Sequence, residues 1–92
     1  MKFYKNKADC HVRRYKKSNH PTAIVGESKN QFTYKKLSHE QYRNELQKLN
    51  FNPNPRDIKN AYIGKKSRVD NKKFFDKKKS KWVFNKSDYD KL

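Results

Sequence analysis

The sequence has a single cysteine, Cys10, and only two glycines, Gly26 and Gly64, among its 92 residues. One cysteine excludes an intramolecular disulfide and argues against a cysteine-based zinc site, so we expect no bound metal and a reducing, cytoplasmic location. Two separate glycines do not form the Gly-rich loop with which many proteins hold the phosphates of a nucleotide. The sequence therefore predicts a protein without a cofactor.

Long apolar stretches are also missing, and the most apolar run covers only residues 22–26. This run is too short to cross a bilayer, and residues 1–7 lack the apolar segment of a signal peptide, so no membrane association is expected. Hydrophobic residues make up 32% of the chain and charged residues 37%, a balance that by itself favours disorder. Six Tyr, six Phe and Trp82 favour instead one folded basic domain over residues 1–92, with a small aromatic core and loosely ordered ends.

Acidic residues are scarce: nine Asp and Glu stand against 25 Lys and Arg, which gives a formal net charge of +16. Such an excess destabilises a compact chain by self-repulsion unless an acidic surface offsets it. Phosphate backbones are the commonest surface of that kind, so nucleic acid is the first expected partner. The alternatives are an acidic protein partner, or a lysine-rich solvated surface without any charged partner.

One segment has the pattern of an amphipathic helix. Ser38 and Gln41 have the spacing of a capping box, and after them Tyr42 and two leucines recur at helical intervals. The Asn-Pro pairs that follow cannot continue a helix. The sequence therefore predicts one main helix near residues 39–49.

Other segments alternate apolar and polar residues or are rich in β-branched and aromatic residues, which is typical of strands. Strands are expected at residues 10–17, 22–26, 31–37 and 61–64, a polar loop at 67–73, and aromatic runs at 74–75 and 82–84 around a basic turn. A turn before Pro21 and a polar loop at 27–30 would make the first three strands antiparallel neighbours. The predicted fold class is α+β: about five antiparallel strands curled into a small, partly closed β-barrel, with the helix packed against it.

Four residues form a candidate catalytic cluster, namely Arg14, His20, Ser38 and His39. His20 begins the second expected strand and His39 follows the third, so antiparallel pairing would bring both imidazoles to one edge of the sheet. Histidine can shuttle a proton near neutral pH, while Arg14 would stabilise a phosphorane-like charge, as metal-independent RNA cleavage by the RNA 2′-hydroxyl requires. The structural alternative is that His20 belongs to a turn, Ser38 caps a helix and His39 is merely solvated.

A larger set of cations forms the expected nucleic-acid interface, and aromatic residues such as Phe74 and Trp82 are interleaved with part of it. The set comprises Arg13, Lys17, Lys65, Lys66, Arg68, Lys72, Lys73, Lys77, Lys78, Lys79 and Lys81. Basic side chains between rings can follow a phosphate backbone while an exposed ring stacks on a base. We expect the small core to bury most of the rings, so that the lysines supply affinity without reading sequence. Charge reversal at residues 77–79 should then weaken RNA binding.

The order of these elements resembles a known group of proteins. His20-Pro21 precedes the apolar strand, and Leu37-Ser38-His39 ends the next one, a layout similar to the opening of MazF/PemK-type and ToxN-like growth-inhibiting proteins. The resemblance implies a small SH3-like barrel, an endoribonuclease toxin, an acidic antitoxin as partner, and a dimer. In that group the strand often ends in Leu-Thr-Ser, whose hydroxyls assist RNA cleavage, so Ser38 matches the Thr position and His39 the Ser position. His39 departs from the usual hydroxyl, and no catalytic arginine can be carried over.

The sequence thus predicts a small basic protein that binds nucleic acid, with RNA favoured over DNA. Metal-independent cleavage of RNA is the reaction that the candidate catalytic cluster would suit, and whether the protein is an enzyme stays open. The rival hypothesis is a non-enzymatic phage or mobile-element protein that binds DNA or an acidic protein partner. A ribosome-associated structural protein also fits the lysine content. No pattern that reads the RNA 2′-hydroxyl is visible, so the residues alone leave RNA and DNA both open.

Overall fold

The structure, a computed structural model, describes residues 2–39 and 46–92. Within them the strands are β1 (His11–Tyr15), β2 (His20–Glu27), β3 (Gln31–Ser38), β4 (Leu46–Lys48), β5 (Tyr62–Gly64) and β6 (Arg68–Asn71). Short 3₁₀ helices cover Lys7–Asp9, Lys72–Phe74 and Lys86–Lys91. The strands pair antiparallel in the order β1-β2-β3-β5-β4, and β6 pairs with the first half of β3.

Two tight turns connect β1, β2 and β3. Between β1 and β2, Asn19 adopts a left-handed conformation with φ of 58° and its amide donates to the carbonyl of Tyr15 at 2.8 Å. Asparagine tolerates this backbone region better than most residues, so the turn suits the sequence. Between β2 and β3, the Ser28 amide donates to the Gln31 carbonyl at 2.9 Å. The antiparallel hairpin predicted around residues 27–30 is therefore confirmed.

The three-stranded centre of the sheet is buried on both faces. Side chains from alternate positions of the strands point to opposite faces, as the pleat requires. One face carries the cluster that includes Val12, Ala23, Val25, Ile63 and Phe84, and the other carries Ile24, Phe32, Tyr34 and Phe75. Of the twelve Tyr, Phe and Trp rings that the structure describes, only Phe32, Tyr34, Phe75 and Phe84 are buried, so the prediction that the core buries most of the rings is wrong.

The predicted partly closed barrel is wrong, because the sheet is open. The expected closing strand at residues 82–84 has irregular backbone, with Phe84 buried and Val83 exposed. The edge of β1 is instead contacted by an irregular segment: the amides of Asp76 and Ser80 donate to the carbonyls of Arg14 and Val12. Asp76 and Ser80 are four positions apart but bond to residues of β1 that are only two positions apart, so the exposed residues 77–79 form a bulge and a continuous ladder cannot form.

The predicted main helix near 39–49 is also wrong where the structure describes it; residues 40–45 lie outside the described part of the chain. Leu46–Lys48 is strand β4, in which Leu46 pairs with Gly64, and the Leu49 amide donates to the Ala61 carbonyl at 2.8 Å. Ser38, the expected helix cap, is the last residue of β3. Pairing with β5 satisfies the backbone and buries both leucines, which outweighs the weak local preference for helix.

The fold-class prediction is accordingly corrected from an α+β barrel to a small, open, antiparallel β-sheet. Among the described residues the only helical segments are the short 3₁₀ helices. The polar stretch expected to be a loop at 67–73 contains β6, because its four residues complete the pairing of β3. None of the helical segments in residues 2–39 and 46–92 has the length and apolarity needed to span a membrane.

The N-terminal residues pair with the second half of β2. Phe3 forms a bridge with Gly26, and the Tyr4 amide donates to the Val25 carbonyl at 2.9 Å. The approach depends on glycine, since a Cβ atom at residue 26 would lie 2.0 Å from the carbonyl oxygen of Lys2. Gly26 thus permits close contact between the two backbones.

The C-terminal segment is attached through a buried carboxylate. Asp88 is 0% exposed and accepts hydrogen bonds from the amides of Asn50 and Phe51 and from the Lys91 ammonium, at 2.7, 3.1 and 2.8 Å. Burial alone would raise the pKa of Asp88, but the Lys91 ammonium and the two amides outweigh it and hold this pKa below its ordinary value. The ionised carboxylate therefore joins the loop after β4 to the final 3₁₀ helix.

We expect Gly26→Ala to destabilise the fold by about 1–3 kcal/mol, because the new methyl group overlaps the Lys2 carbonyl. Urea denaturation measures the loss, and faster hydrogen exchange of the Tyr4 amide would show that the N-terminal pairing has opened. Gly64→Ala is the matched control, since its Cβ would meet nothing nearer than 3.6 Å. Equal stability of the two variants would contradict the described pairing.

We expect Asp88→Asn to cost about 2 kcal/mol at pH 7, because two buried amides and an ammonium lose their anionic acceptor. Asp90→Asn, at an exposed position on the same segment, is the control and should be nearly neutral. Because the folded-state pKa of Asp88 is lowered, its contribution is complete above about pH 4 and is lost as the pH falls through that lowered pKa. A difference between wild type and Asp88→Asn that does not shrink in acid would refute this assignment.

Candidate functional site

A cleft of about 690 Å³ lies where β1 and β3 end and β2 begins. Tyr15 and Lys17 contribute from the end of β1 and the turn after it, and His20 from the start of β2. The loop before β5 and Trp82 from the C-terminal segment form further parts of the wall. The cleft is therefore built around one end of the central sheet.

The strand register brings the predicted catalytic residues His20, Ser38 and His39 to this cleft. β2 pairs with β3 as far as Thr22 opposite Lys36, and His20 and Ser38 each lie two residues beyond this pair, at the same end of the two strands. His39 follows directly after β3 and also lines the cleft. Three of the four residues of the expected catalytic cluster are thus brought together.

The walls of the cleft are strongly basic. Its cationic lining residues are Lys17, Lys36, Lys59 and Arg68, and His20 and His39 lie beside them. Of the described residues that line the cleft, none is acidic. Several cations around a concave surface concentrate the positive potential there and attract a polyanion.

Aromatic rings form another part of the wall. Tyr15 and Tyr34 pack with their ring centroids 5.1 Å apart, and Trp82 is half-buried against the core. The Tyr15 hydroxyl donates to Asp70, which also accepts from the Lys17 ammonium at 3.0 Å. Burial and then this carboxylate raise the pKa of Tyr15, so its phenol stays neutral, while the same hydrogen bond lowers the pKa of Asp70. The rings can offer flat apolar contact to a base without adding negative charge to the cleft.

His39 is paired with a carboxylate from the loop before β5. Its Nε2 lies 2.7 Å from Oδ2 of Asp57, with the imidazole 56% exposed and the carboxylate 17% exposed. The Lys59 amide donates to the other oxygen, Oδ1, at 2.9 Å. That amide and then the adjacent His39 hold the pKa of Asp57 below its ordinary value, so the carboxylate is ionised at neutral pH.

Arg13 and Arg14 do not line the cleft, although both were predicted to serve function. The Arg14 guanidinium is paired with Asp76 at 3.1 Å, outside the cleft lining. The Arg13 guanidinium donates to the backbone carbonyls of Asp76 and Lys77, both at 2.8 Å, and lies over the Phe32 ring. Both arginines therefore hold the irregular segment after β6 against β1.

The remaining predicted binding residues are distributed over several surfaces. Lys17 and Arg68 line the cleft, Lys72 pairs with Glu27 at 2.7 Å, and the Lys73 ammonium lies over the Phe74 ring. Six more of the predicted lysines are exposed and outside the cleft lining: Lys65 and Lys66 after β5, Lys77, Lys78 and Lys79 in the bulge beside β1, and Lys81 beyond it. The cations expected to form one interface are thus distributed over the cleft, the contacts of Lys72 and Lys73, and these six exposed positions.

Sequence reasoning missed Lys36, Lys59 and Asp57. Lys36 could have been found from the sequence. It alternates with Phe32 and Tyr34 on one face of β3, and it lies near the end of β3, which antiparallel pairing places beside the start of β2 that carries His20. Lys59 and Asp57 carry no such signal, because their loop has no periodic pattern. Only the folded loop brings the carboxylate to His39.

No family model, no curated protein and no solved structure matches the chain. The resemblance to MazF/PemK-type and ToxN-like proteins therefore stays a prediction that rests on the short motifs around His20 and Ser38. The function has to be argued from the cleft itself.

Proposed function

We propose that this protein binds RNA in the cleft at the end of the sheet and cleaves it as an endoribonuclease. The observation that carries the proposal is the convergence of four cations, two histidines and the partly buried rings of Tyr15 and Trp82 in one concavity whose described lining contains no carboxylate. A net charge of +16 would draw a polyanion to the molecule from any direction, and the cleft would hold it.

Binding would be driven by the release of counterions as the cations replace them at the phosphates. Lys36 and Lys59 stand on different elements, β3 and the loop before β5, so a strand that enters the cleft would contact both. A base beside them would stack on Trp82 or Tyr15. Such contacts give affinity with little sequence preference.

The proposed reaction is attack of the RNA 2′-hydroxyl on the adjacent phosphorus, which needs a proton acceptor, a proton donor and cations near the equatorial oxygens. His20 and His39 supply the proton-transfer groups, and Lys36 and Arg68 the charge. Ser38 also lines the cleft. Arg14 has no part in this proposal, because its guanidinium is paired with Asp76 outside the cleft lining.

The proposal favours RNA over DNA because only RNA carries the internal nucleophile. It includes a cytoplasmic location, in which the buried thiol of Cys10 stays reduced. The resemblance to MazF/PemK-type and ToxN-like proteins suggests two further parts of the proposal. The protein would act as a dimeric toxin, and an acidic antitoxin would bind over the cleft.

A second candidate function is supported by the bulge beside β1, where Lys77, Lys78 and Lys79 are all exposed. This surface is outside the cleft lining and would suit a non-enzymatic protein that binds DNA or an acidic protein. Under that proposal the cleft would contribute little to affinity.

Two charge-reversal variants with the same net charge separate these candidates. We expect Lys36→Glu/Lys59→Glu to weaken binding of single-stranded RNA at least about tenfold more than Lys77→Glu/Lys78→Glu does. We also expect the slope of log affinity against log salt to fall by about 0.7 for each phosphate that the variant no longer neutralises. Fluorescence anisotropy in a salt series measures both, with duplex DNA as the comparison ligand.

A denaturing gel of the same samples tests cleavage. Cleaved RNA from the wild type, and intact RNA with His39→Ala, is the expected result. If the wild type bound RNA without cleaving it, the nuclease proposal would be rejected and the protein would be a basic RNA-binding module. Equal reductions in affinity for the two charge-reversal variants would reject the cleft as the principal interface.

A further inference from the structure

We propose that Asp57 is the positioning residue for His39: its carboxylate accepts the Nε2 proton and leaves Nδ1 as the proton acceptor for the RNA 2′-hydroxyl. The inference rests on the proposed function and deepens it, since it assigns different roles to the two histidines of the cleft. Its basis is the 2.7 Å contact between Nε2 and Oδ2.

The contact determines the tautomer of His39. A neutral imidazole has one protonated nitrogen and one with a lone pair, and a carboxylate can only accept a hydrogen bond. Nε2 therefore carries the proton that it donates to Asp57. The lone pair is then on Nδ1, which is the form that a general base needs.

The carboxylate is well held for this task. Its Oδ1 accepts from the Lys59 amide at 2.9 Å, and the Asp57 amide donates to the Asn54 carbonyl at 3.2 Å. The side chain of Asp57 is 17% exposed, while its histidine partner is 56% exposed and lines the cleft. A hydrogen-bonded acceptor behind a more accessible base fixes the orientation of the ring.

The reaction step can be written with its protons. The 2′-oxygen forms a bond to phosphorus as its proton moves to Nδ1 of His39, and the bond from phosphorus to the 5′-oxygen breaks. The leaving oxygen takes a proton from the imidazolium of His20. The products are a 2′,3′-cyclic phosphate and a 5′-hydroxyl, and no oxidant, reductant or co-reactant is needed.

The charges that face the imidazole of His39 bear on the imidazolium that forms during the reaction. Asp57 is its anionic contact, while the cleft brings His20, Lys17, Lys36, Lys59 and Arg68 to the same concavity. When His39 takes up a proton in the reaction, Asp57 stabilises the imidazolium against these cations. Removing this anion should therefore slow the chemical step.

The test compares Asp57→Asn with Asp76→Asn. Both variants lose one carboxylate, but Asp76 is paired with Arg14 outside the cleft lining. We expect Asp57→Asn to lower the single-turnover cleavage rate about 10²- to 10⁴-fold, with RNA affinity changed by less than about threefold. Asp76→Asn should keep the wild-type rate.

Long-range ¹H–¹⁵N NMR spectra of the His39 ring supply a readout besides activity. The wild type should show only the tautomer protonated at Nε2, and Asp57→Asn should show a mixture. A mixed tautomer in the wild type, or a wild-type cleavage rate in Asp57→Asn, would overturn the inference while the proposed nuclease survived. A wild-type protein that binds RNA but does not cleave it would overturn the proposed nuclease and this catalytic role together.

Discussion

The central strand β2 is enclosed on both faces, and residues 22–25 are at most 2% exposed. This burial sets the pairing register of β2 with β1 and β3. A shift of β2 by one residue would remove Ile24 from the cluster with Phe32, Tyr34 and Phe75, and would remove Ala23 and Val25 from the core cluster on the other face. The register in turn brings the start of β2 beside the end of β3. The basic cleft is therefore a consequence of how the small core is packed.

Most of the carboxylates that the structure describes form ion pairs within the fold. In the part that the structure describes, ion pairs engage Glu27, Asp57, Asp70, Asp76 and Asp88. Asp88 and Asp76 attach segments of irregular backbone to the sheet, and Asp57 holds His39. The cations that line the cleft outnumber the carboxylates near them, so the excess charge of the chain is concentrated where a polyanion could enter.

Strands β2 and β3 could be predicted from the sequence. Both faces of β2 are packed, which selects a run of β-branched residues, and the inner face of β3 is packed, which selects alternating apolar and polar residues. The helix near 39–49 could not be excluded, since Leu46 and Leu49 suit a helical stripe as well as a short strand, and only pairing with β5 decides between them. The position of His20 and His39 at the same end of the sheet followed from antiparallel pairing. The contact of Asp57 with His39 did not, because it depends on a loop closed by hydrogen bonds of its own side chains.

The central claim is that RNA is bound in the cleft, and NMR mapping tests it most directly. Uniformly ¹⁵N-labelled protein would be titrated with a short oligoribonucleotide that carries 2′-O-methyl groups and so resists cleavage. The account predicts that the largest shifts cluster at His20, Lys36, His39 and Lys59 and at the Trp82 indole, all on the cleft wall. Shifts confined to residues 77–81, with the cleft unaffected, would contradict it.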